Sequence, residues 1–211
     1  MPAIGNDIVD LTTPENRNKS RDRRFLDRVF TPEERAFIGP AEQPEAILWA
    51  LWAGKEGAYK AISKINPGVS SVPRRYHVRF LKGDPKTCLV SSQEAILSGL
   101  VETPAGEVFF RTLLTPQYVH CLAVTGTCLS EKLIFQVLDL QDQPDLSASL
   151  QRTVVRRLSS LLGIHPSTIE IQRPRTPLGY GPPRIFVEGE ETELDISLSH
   201  DGRYGAYALH C

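Results

Sequence analysis

Short apolar runs predict most of the strands of this chain. Runs that are rich in Val, Ile, Leu and aromatic residues and are bounded by Gly, Pro or polar loops are typical of β-strands. They occur at 4–11, 76–81, 87–90, 107–114, 118–124, 133–138, 169–172, 184–188, 195–199 and 204–209.

Apolar residues at helical spacing predict two long helices. The first begins near Glu45 and ends at Lys64, and the second runs from 147 to 162, with Gly163 at its C-cap. A short helix is expected at 91–99, and Thr31 before Pro32 is typical of a helix N-terminus. Because strand, helix and strands follow one another twice, the pattern predicts an α+β fold of two similar halves, 1–126 and 127–211, packed face to face as a pseudo-dimer.

The first long helix carries charged residues in an otherwise apolar run. Glu56 and Lys60 are one turn apart and therefore lie on one face. Two interpretations remain open, because a Glu–Lys pair at this spacing is common on solvent-exposed helices but also suits a functional site. Gly54 and Gly57 lower the helix propensity, which indicates that another part of the chain approaches the helix backbone closely.

The opening strand carries Asp7 among apolar neighbours. Strand alternation places Asp7 on the same face as Val9 and Leu11, and Asp10 on the opposite face. A carboxylate on an apolar face is unfavourable unless it is paired or binds a metal. The alternative is that Asp7 serves as a turn or cap residue at the strand end.

Four arginines follow the opening strand at helical spacing. Arg17, Arg21, Arg24 and Arg28 are separated by four, three and four residues, which predicts one helix face. Such a basic stripe either faces solvent or docks an acidic partner helix.

Composition and charge narrow the classes of function. The chain has 211 residues, of which 41% are hydrophobic, and a formal net charge of −1, which favours neither nucleic acid nor an anionic membrane as partner. The four cysteines show no metal-binding spacing, so reduced thiols are expected. No signal peptide or membrane-spanning run is present in the sequence, and a soluble, cytoplasmic protein is the expectation.

Four separated segments together carry a resemblance to a known family. They are Gly5-Asn6-Asp7, Lys55-Glu56-Gly-Ala-Tyr-Lys60, Tyr180-Gly181-Pro182-Pro183 and Ser197-Leu-Ser199-His200. These segments resemble the G-x-D, W-x-x-K-E-x-x-x-K, Y-G-K-P and S-x-S-H motifs of the 4'-phosphopantetheinyl transferase superfamily. Their order is similar to that of the short holo-acyl-carrier-protein-synthase type, whereas the length is that of the type with two halves in one chain.

The resemblance implies an activity and its partners. Members transfer 4'-phosphopantetheine from coenzyme A to a serine of an acidic acyl or peptidyl carrier protein, with Mg²⁺ or Mn²⁺, and release 3',5'-ADP. A monomer is expected, because one chain supplies both halves. A non-catalytic module that binds coenzyme A or the carrier and a magnesium-dependent phosphohydrolase are the alternatives.

The resemblance also assigns roles to single residues. Asp7 and Glu56 are the implied metal ligands, Glu56 is the candidate base for the carrier serine, and Lys60 is the candidate phosphate ligand. Ser199 and His200 are expected to hold a phosphate of the coenzyme. Lys55 is expected either to bind phosphate or to seal the interface between the halves. The resemblance assigns carrier docking to Arg17, Arg21, Arg24 and Arg28.

Two positions depart from the family pattern. Pro182 replaces the motif lysine, and Arg184, Arg175 and Arg173 are the nearby cations that could substitute for it. Val9 stands where the larger members have a third carboxylate, so water is expected at that metal position.

Overall fold

The computed structural model describes residues 2–82, 94–126, 129, 132–176 and 179–210. Within them, helices pack on antiparallel sheets, which confirms the predicted α+β class. The strands of the largest sheet come from the first part of the chain, and those of the smaller sheets come from the second part. The boundary at residue 126 and the internal similarity of two halves stay predictions.

The first part of the chain forms a five-stranded sheet covered by one long helix. Its helices are α1 (Arg23–Val29), α2 (Pro32–Ile38) and α3 (Pro44–Ile65). Its strands are β1 (Ile4–Asp10), β2 (His77–Lys82), β3 (Ala95–Thr103), β4 (Gly106–Leu114) and β5 (Tyr118–Val124). The antiparallel order is β1-β5-β4-β3-β2, so β1 is an edge strand, and α3 packs across β1, β5 and β4.

The second part contains one long helix and several antiparallel strands. The helix is α4 (Leu146–Leu162), which packs against β13 and β7. The strands are β6 (Leu133–Asp139), β7 (Ile169–Gln172), β8 (Arg175–Thr176), β9 (Gly179–Tyr180), β10 (Arg184–Val187), β11 (Glu190–Glu191), β12 (Asp195–Asp201) and β13 (Tyr204–His210). They form sheets of order β12-β13-β6, β11-β10-β7 and β8-β9.

Helix α3 lies directly on β1 because glycines meet at the contact. A Cβ on Gly5 would lie 2.0 Å from the carbonyl oxygen of Gly57, so no larger residue fits there. The close approach expected from the glycines of α3 is therefore confirmed at Gly57. Ile47, Leu51, Ala58 and Ile62, which lie along one side of α3 at helical spacing, are buried in the core that α3 forms with the five-stranded sheet.

A row of hydrogen bonds, here called the side-chain seam, joins β1 to β12. On the edge of β1 that does not pair with β5, every second backbone N–H donates to a polar side chain of β12, again at every second residue. The four bonds run from Ile4 to Asp195 Oδ2 (2.7 Å), from Asn6 to Ser197 Oγ (2.9 Å), from Ile8 to Ser199 Oγ (2.9 Å) and from Asp10 to Asp201 Oδ2 (2.8 Å). The seam satisfies edge N–H groups that would otherwise be buried without a partner.

One predicted element is wrong in the described residues, and another is untested. Residues 95–99 belong to strand β3 rather than to a helix, because β3 pairs with β4 along its whole length and a short apolar run does not distinguish the two states. The predicted strand at 87–90 lies outside the described residues. None of the helices in the described part of the chain has the length and apolar character needed to cross a membrane.

The arginine spacing does not correspond to one helix. Helix α1 begins only at Arg23, because Asn18 has a left-handed backbone (φ 60°) and Asp22 caps the helix by accepting from the N–H of Phe25. Arg24 and Arg28 therefore lie on α1. Arg17 directly follows the 3₁₀ turn Pro14–Asn16, and Arg21 ends the 3₁₀ turn Lys19–Arg21, so both precede α1. The N-terminus at Thr31 is confirmed, with a capping box formed by Thr31 and Glu34.

Candidate functional site

A groove of about 1120 Å³ lies between the C-terminal part of α3 and the second part of the chain. One wall comes from α3 and the loop after it, and the other from α4, β12 and the loop that leads to β10. Among its lining residues are Asp7, Tyr59, Lys60, Lys64, Arg173, Tyr180, Pro182, Ser199 and His200. The groove thus collects residues from both ends of the sequence.

Asp7 and Lys60 form an ion pair in the lining of the groove. The Lys60 Nζ lies 2.8 Å from Asp7 Oδ1 and also donates to the Asn6 carbonyl oxygen at 2.9 Å. An ammonium group has three N–H donors, so one of them is left for a ligand in the groove. The Lys60 side chain is 29% exposed, which keeps that donor accessible.

Glu56 lies one helical turn before Lys60 and carries a perturbed carboxyl group. Burial, reinforced by the negative charge of Asp7, raises the pKa of Glu56 to about 7, although Lys60 acts in the opposite direction. At neutral pH this carboxyl group is therefore near the midpoint of its titration. A group with this pKa is suited to accept a proton from a hydroxyl group.

Ser199 and His200 reach the groove from the end of β12. The Ser199 side chain is buried, and its Oγ donates to Asp7 Oδ1 at 3.1 Å while accepting from the Ile8 N–H. His200 is exposed and lines the groove. The structure therefore brings Asp7, Lys60, Ser199 and His200 together, and the sequence assignment of a phosphate to Ser199 and His200 stays a prediction.

Lys64 is a groove residue that the sequence reasoning missed. Its Nζ lies 2.5 Å from Asp195 Oδ1 and 2.7 Å from the Ile196 carbonyl oxygen, so the last turn of α3 is tied to β12. Burial lowers the pKa of Lys64, and Asp195 counteracts this shift. The spacing of four residues after Lys60 was a usable signal, because it places Lys64 on the same helix face.

Lys55 lies outside the groove lining, in the interior of the first part. Its side chain is 1% exposed, and its Nζ lies 2.7 Å from Glu34 Oε2. It also donates to the carbonyl oxygens of Pro73 and Tyr76. We therefore assign Lys55 to the joint between α3, α2 and the segment before β2, rather than to a phosphate or to the interface between the halves.

Among the three arginines proposed to replace the motif lysine, the structure places only Arg173 on the groove. Arg173 Nε donates to the carbonyl oxygen of Gly181, the residue before Pro182. Arg184 pairs with Glu191 at 3.0 Å, and Arg175 stacks over the Tyr180 ring at 5.9 Å. Neither Arg175 nor Arg184 belongs to the groove lining.

The arginines expected to dock a carrier are all solvent-exposed. Arg24 and Arg28 lie on α1, and the Arg28 guanidinium lies 5.9 Å from the centre of the Phe25 ring. Arg17 donates to the Thr12 carbonyl oxygen, and Arg21 lies in the 3₁₀ turn before α1. Docking by these residues stays a prediction.

Asp7 lines the groove, and Glu56, which lies outside the groove lining, interacts electrostatically with Asp7; this pair of carboxylates is compatible with a divalent cation. Ser199 and Lys60 both bind Oδ1 of Asp7, and no donor among the described residues reaches Oδ2. The charge of Asp7 destabilises the ionised form of Glu56, a repulsion that a cation would relieve. No cluster of three or more metal-ligating residues occurs in the described part of the chain. Two carboxylates completed by water and phosphate oxygens are nevertheless a common Mg²⁺ arrangement.

Comparison with known proteins gives consistent matches. A model of the 4'-phosphopantetheinyl transferase superfamily matches residues 3–99. A protein of Rhodopseudomonas palustris (strain BisB5) named holo-[acyl-carrier-protein] synthase is 30% identical over 117 residues, which cover 50% of this chain and 77% of that protein. A protein of the same name from Protochlamydia amoebophila (strain UWE25) is 36% identical over 59 residues, which cover 28% of this chain and 48% of that protein. Because the family match includes Asp7, Glu56 and Lys60 and the first relative is matched over most of its length, the chain belongs to the 4'-phosphopantetheinyl transferase superfamily.

Proposed function

We propose that this protein transfers 4'-phosphopantetheine from coenzyme A to a serine of an apo carrier protein and releases 3',5'-ADP. The observation that carries the proposal is the convergence of Asp7, Lys60, Ser199 and His200 from opposite ends of the chain on one groove, beside Glu56. The names of the two relatives agree with this activity. Family membership alone does not distinguish it from a binding module of the same fold.

The proposed reaction needs a base and a cationic phosphate ligand. The carrier serine oxygen attacks the phosphorus that bears the pantetheine group, the bond from that phosphorus to the bridging oxygen breaks, and that oxygen leaves with 3',5'-ADP. Glu56 takes the serine proton, directly or through a water, and its partly buried carboxyl group lies one helical turn from Lys60. Lys60 directs its remaining N–H to the phosphate and stabilises the leaving group.

A divalent cation fits this scheme at Asp7 and Glu56. When bound, Mg²⁺ or Mn²⁺ would neutralise part of the pyrophosphate charge. His200 reaches the coenzyme from the other wall of the groove, and Arg173 adds positive charge beside Pro182. Among the described residues Arg173 has no carboxylate partner, so its charge is available for a phosphate.

One assay separates the proposal from its alternatives. The protein is incubated with coenzyme A, Mg²⁺ and apo acyl or apo peptidyl carrier protein, and the carrier is analysed by mass spectrometry. We expect an increase by one phosphopantetheine group together with 3',5'-ADP. Release of 3',5'-ADP with an unmodified carrier would indicate a phosphohydrolase, and coenzyme binding without either product would indicate a non-catalytic module.

The role of Glu56 is tested in the same assay. Glu56→Gln removes the carboxylate proposed as base and as metal ligand but keeps the size of the side chain, so we expect kcat to decrease by about 10²- to 10⁴-fold while the carrier KM changes little. Glu33→Gln is the control, because Glu33 is an exposed residue of α2 outside the groove lining. Equal activity of the Glu56 variant and the control would contradict the proposed base.

The carrier surface is proposed to be the exposed face of α1. Carrier proteins present an acidic helix, and Arg24 and Arg28 offer the opposite charge. We expect the double substitution Arg24→Glu and Arg28→Glu to raise the KM for the carrier strongly. The KM for the carrier should also depend less on salt concentration than in the wild type, and the KM for coenzyme A should remain unchanged. The control is Arg156→Glu, a charge reversal at an exposed position of α4. A carrier KM that rises equally in both proteins would contradict docking on α1.

A further inference from the structure

Ser197 and Ser199 make the same seam bond but differ in a second contact. Each accepts a backbone N–H of β1 at 2.9 Å, and each is buried. Only Ser199 also donates its hydroxyl proton, to Asp7 Oδ1 at 3.1 Å. In the seam bond, Ser199 accepts with a lone pair of its oxygen, so the single hydroxyl proton remains available for the Asp7 carboxylate.

The bond from Ser199 affects how the Asp7 carboxylate is oriented. Oδ1 receives donors from two directions, Ser199 on β12 and Lys60 on α3. Two donors on one oxygen restrict the rotation of the carboxyl group, and the direction of Oδ2 is thereby set as well. Asp7 is 8% exposed, so solvent has little access to replace either donor.

Substrate contact is a less suitable role for this hydroxyl group. Its proton is used by Asp7 and one lone pair by the Ile8 N–H, so the group has no donor left for a phosphate oxygen. Phosphate oxygens need donors, and the neighbouring His200 and Lys60 can supply them.

We propose that Ser199 is a positioning residue that orients Asp7 toward a divalent cation, and that it does not hold a phosphate of coenzyme A. The side-chain seam thereby makes the geometry of the cation site depend on contact between the two parts of the chain. The inference rests on the proposed function for the presence of the cation, but it concerns only this chain's own residues. Hydrogen-bond partners of carboxylate ligands typically change metal affinity by about 10- to 100-fold when they are removed.

The test compares Ser199→Ala with Ser197→Ala in the full-length protein. Both substitutions remove one seam bond, but only the first removes the donor to Asp7. Mn²⁺ is the probe, its binding is followed by the electron paramagnetic resonance signal of the free ion, and coenzyme A affinity is measured separately without metal. We expect the Kd for Mn²⁺ to rise about tenfold in Ser199→Ala and less than about twofold in Ser197→Ala. The loss of thermal stability should be similar in the two variants, and the metal-free affinity for coenzyme A should remain unchanged.

Several outcomes would overturn the inference. Equal Kd values for Mn²⁺ in the two variants would show that Ser199 acts only through the seam. Weaker coenzyme A binding in Ser199→Ala, with unchanged Mn²⁺ binding, would assign the hydroxyl group to a phosphate. Absence of Mn²⁺ binding to the wild-type protein, with or without coenzyme A, would also contradict it.

A second pair of variants and a separate assay complete the design. If Ser199→Ala does not fold, Ser199→Cys and Ser197→Cys give the same comparison with a weaker donor, and the larger Mn²⁺ effect is expected for Ser199→Cys. Failure of the proposed function is recognised separately, as wild-type protein that binds Mn²⁺ but modifies no carrier. In that case the Mn²⁺ titrations still decide the role of Ser199.

Discussion

At the scale of single residues, His120 is the buried group with the clearest consequence for stability. Its imidazole lies on β5 against the ring of Phe135, and its Nε2 has no hydrogen-bond partner among the described residues. Burial, assisted by the positive charge of Lys60, lowers the pKa of His120 to about 4. The folded protein therefore keeps this side chain neutral.

This shift predicts how stability depends on pH. Between pH 6.5 and about 4 the unfolded chain binds a proton at His120 that the folded chain does not bind, so the free energy of unfolding decreases as the pH falls through this interval. The full effect amounts to about 3 kcal/mol at most. We expect urea unfolding of His120→Gln at pH 7 and pH 5 to show a smaller difference in the free energy of unfolding than the wild type. An unchanged difference would contradict the assignment.

The buried pair of Lys55 and Glu34 gives a second prediction. Glu34 also accepts the backbone N–H groups of Thr31 and Val78, so its charge is held by three donors. We expect Lys55→Met to destabilise the fold by about 3–5 kcal/mol, because a buried carboxylate is left without its cation. The double variant Lys55→Met with Glu34→Gln should recover part of this loss in urea unfolding, since it leaves no uncompensated buried charge, although the single amide oxygen can accept only one of the two N–H groups. A double variant less stable than Lys55→Met would contradict this explanation.

The sequence predicts the site residues unequally well. Helical spacing places Glu56 and Lys60 on one face, and strand alternation orients Asp7, because both rules are local. The location of Lys55 depends on Glu34, which lies on another helix, and no local pattern reveals such a partner. The choice of Arg173 over Arg175 and Arg184 likewise depends on loop geometry.

At the scale of elements, the contact between β1 and α3 determines where Asp7 meets Lys60. The two elements approach closely because Gly5 faces the backbone of α3 at Gly57 and Ala61. The sequence predicts both elements, and the glycines of α3 indicate a close neighbour, but only the structure identifies Gly5. The missed strand β3 has no such signal, because a short apolar run is compatible with either a helix or a strand.

Substitution of Gly5 therefore tests the contact. In Gly5→Ala, the added Cβ would lie 2.0 Å from the Gly57 carbonyl oxygen, so β1 and α3 must separate. We expect a loss of more than about 2 kcal/mol in the free energy of unfolding. Gly39→Ala is the matched control, because a Cβ there meets only the Arg35 carbonyl oxygen at 3.8 Å and Gly39 has helical backbone angles. The control should be neutral or more stable by up to about 1 kcal/mol, and similar losses in both variants would contradict the explanation.

At the scale of the whole molecule, the two parts of the chain share the construction of one groove. The side-chain seam and the Lys64–Asp195 pair join them, and Asp7 and Lys60 from the first part line the groove with His200 from the second. Local sequence patterns cannot predict these joins, because each bond of the seam links residues 191 positions apart. What the sequence did provide was the separate motifs that the seam brings together.

A groove built within one chain predicts the result of mixing two inactive variants. Glu56→Gln and His200→Ala each alter a different part of the proposed site, and each is expected to lose most of the transfer activity. If one chain supplies the whole site, a mixture of the two proteins should be no more active than the separate variants. If each site were shared between two chains, a mixed assembly would contain one interface with both the native Glu56 and the native His200, and the mixture would regain activity. The rate of carrier modification measures this directly, and analytical ultracentrifugation of the wild-type protein should give the mass of a single chain.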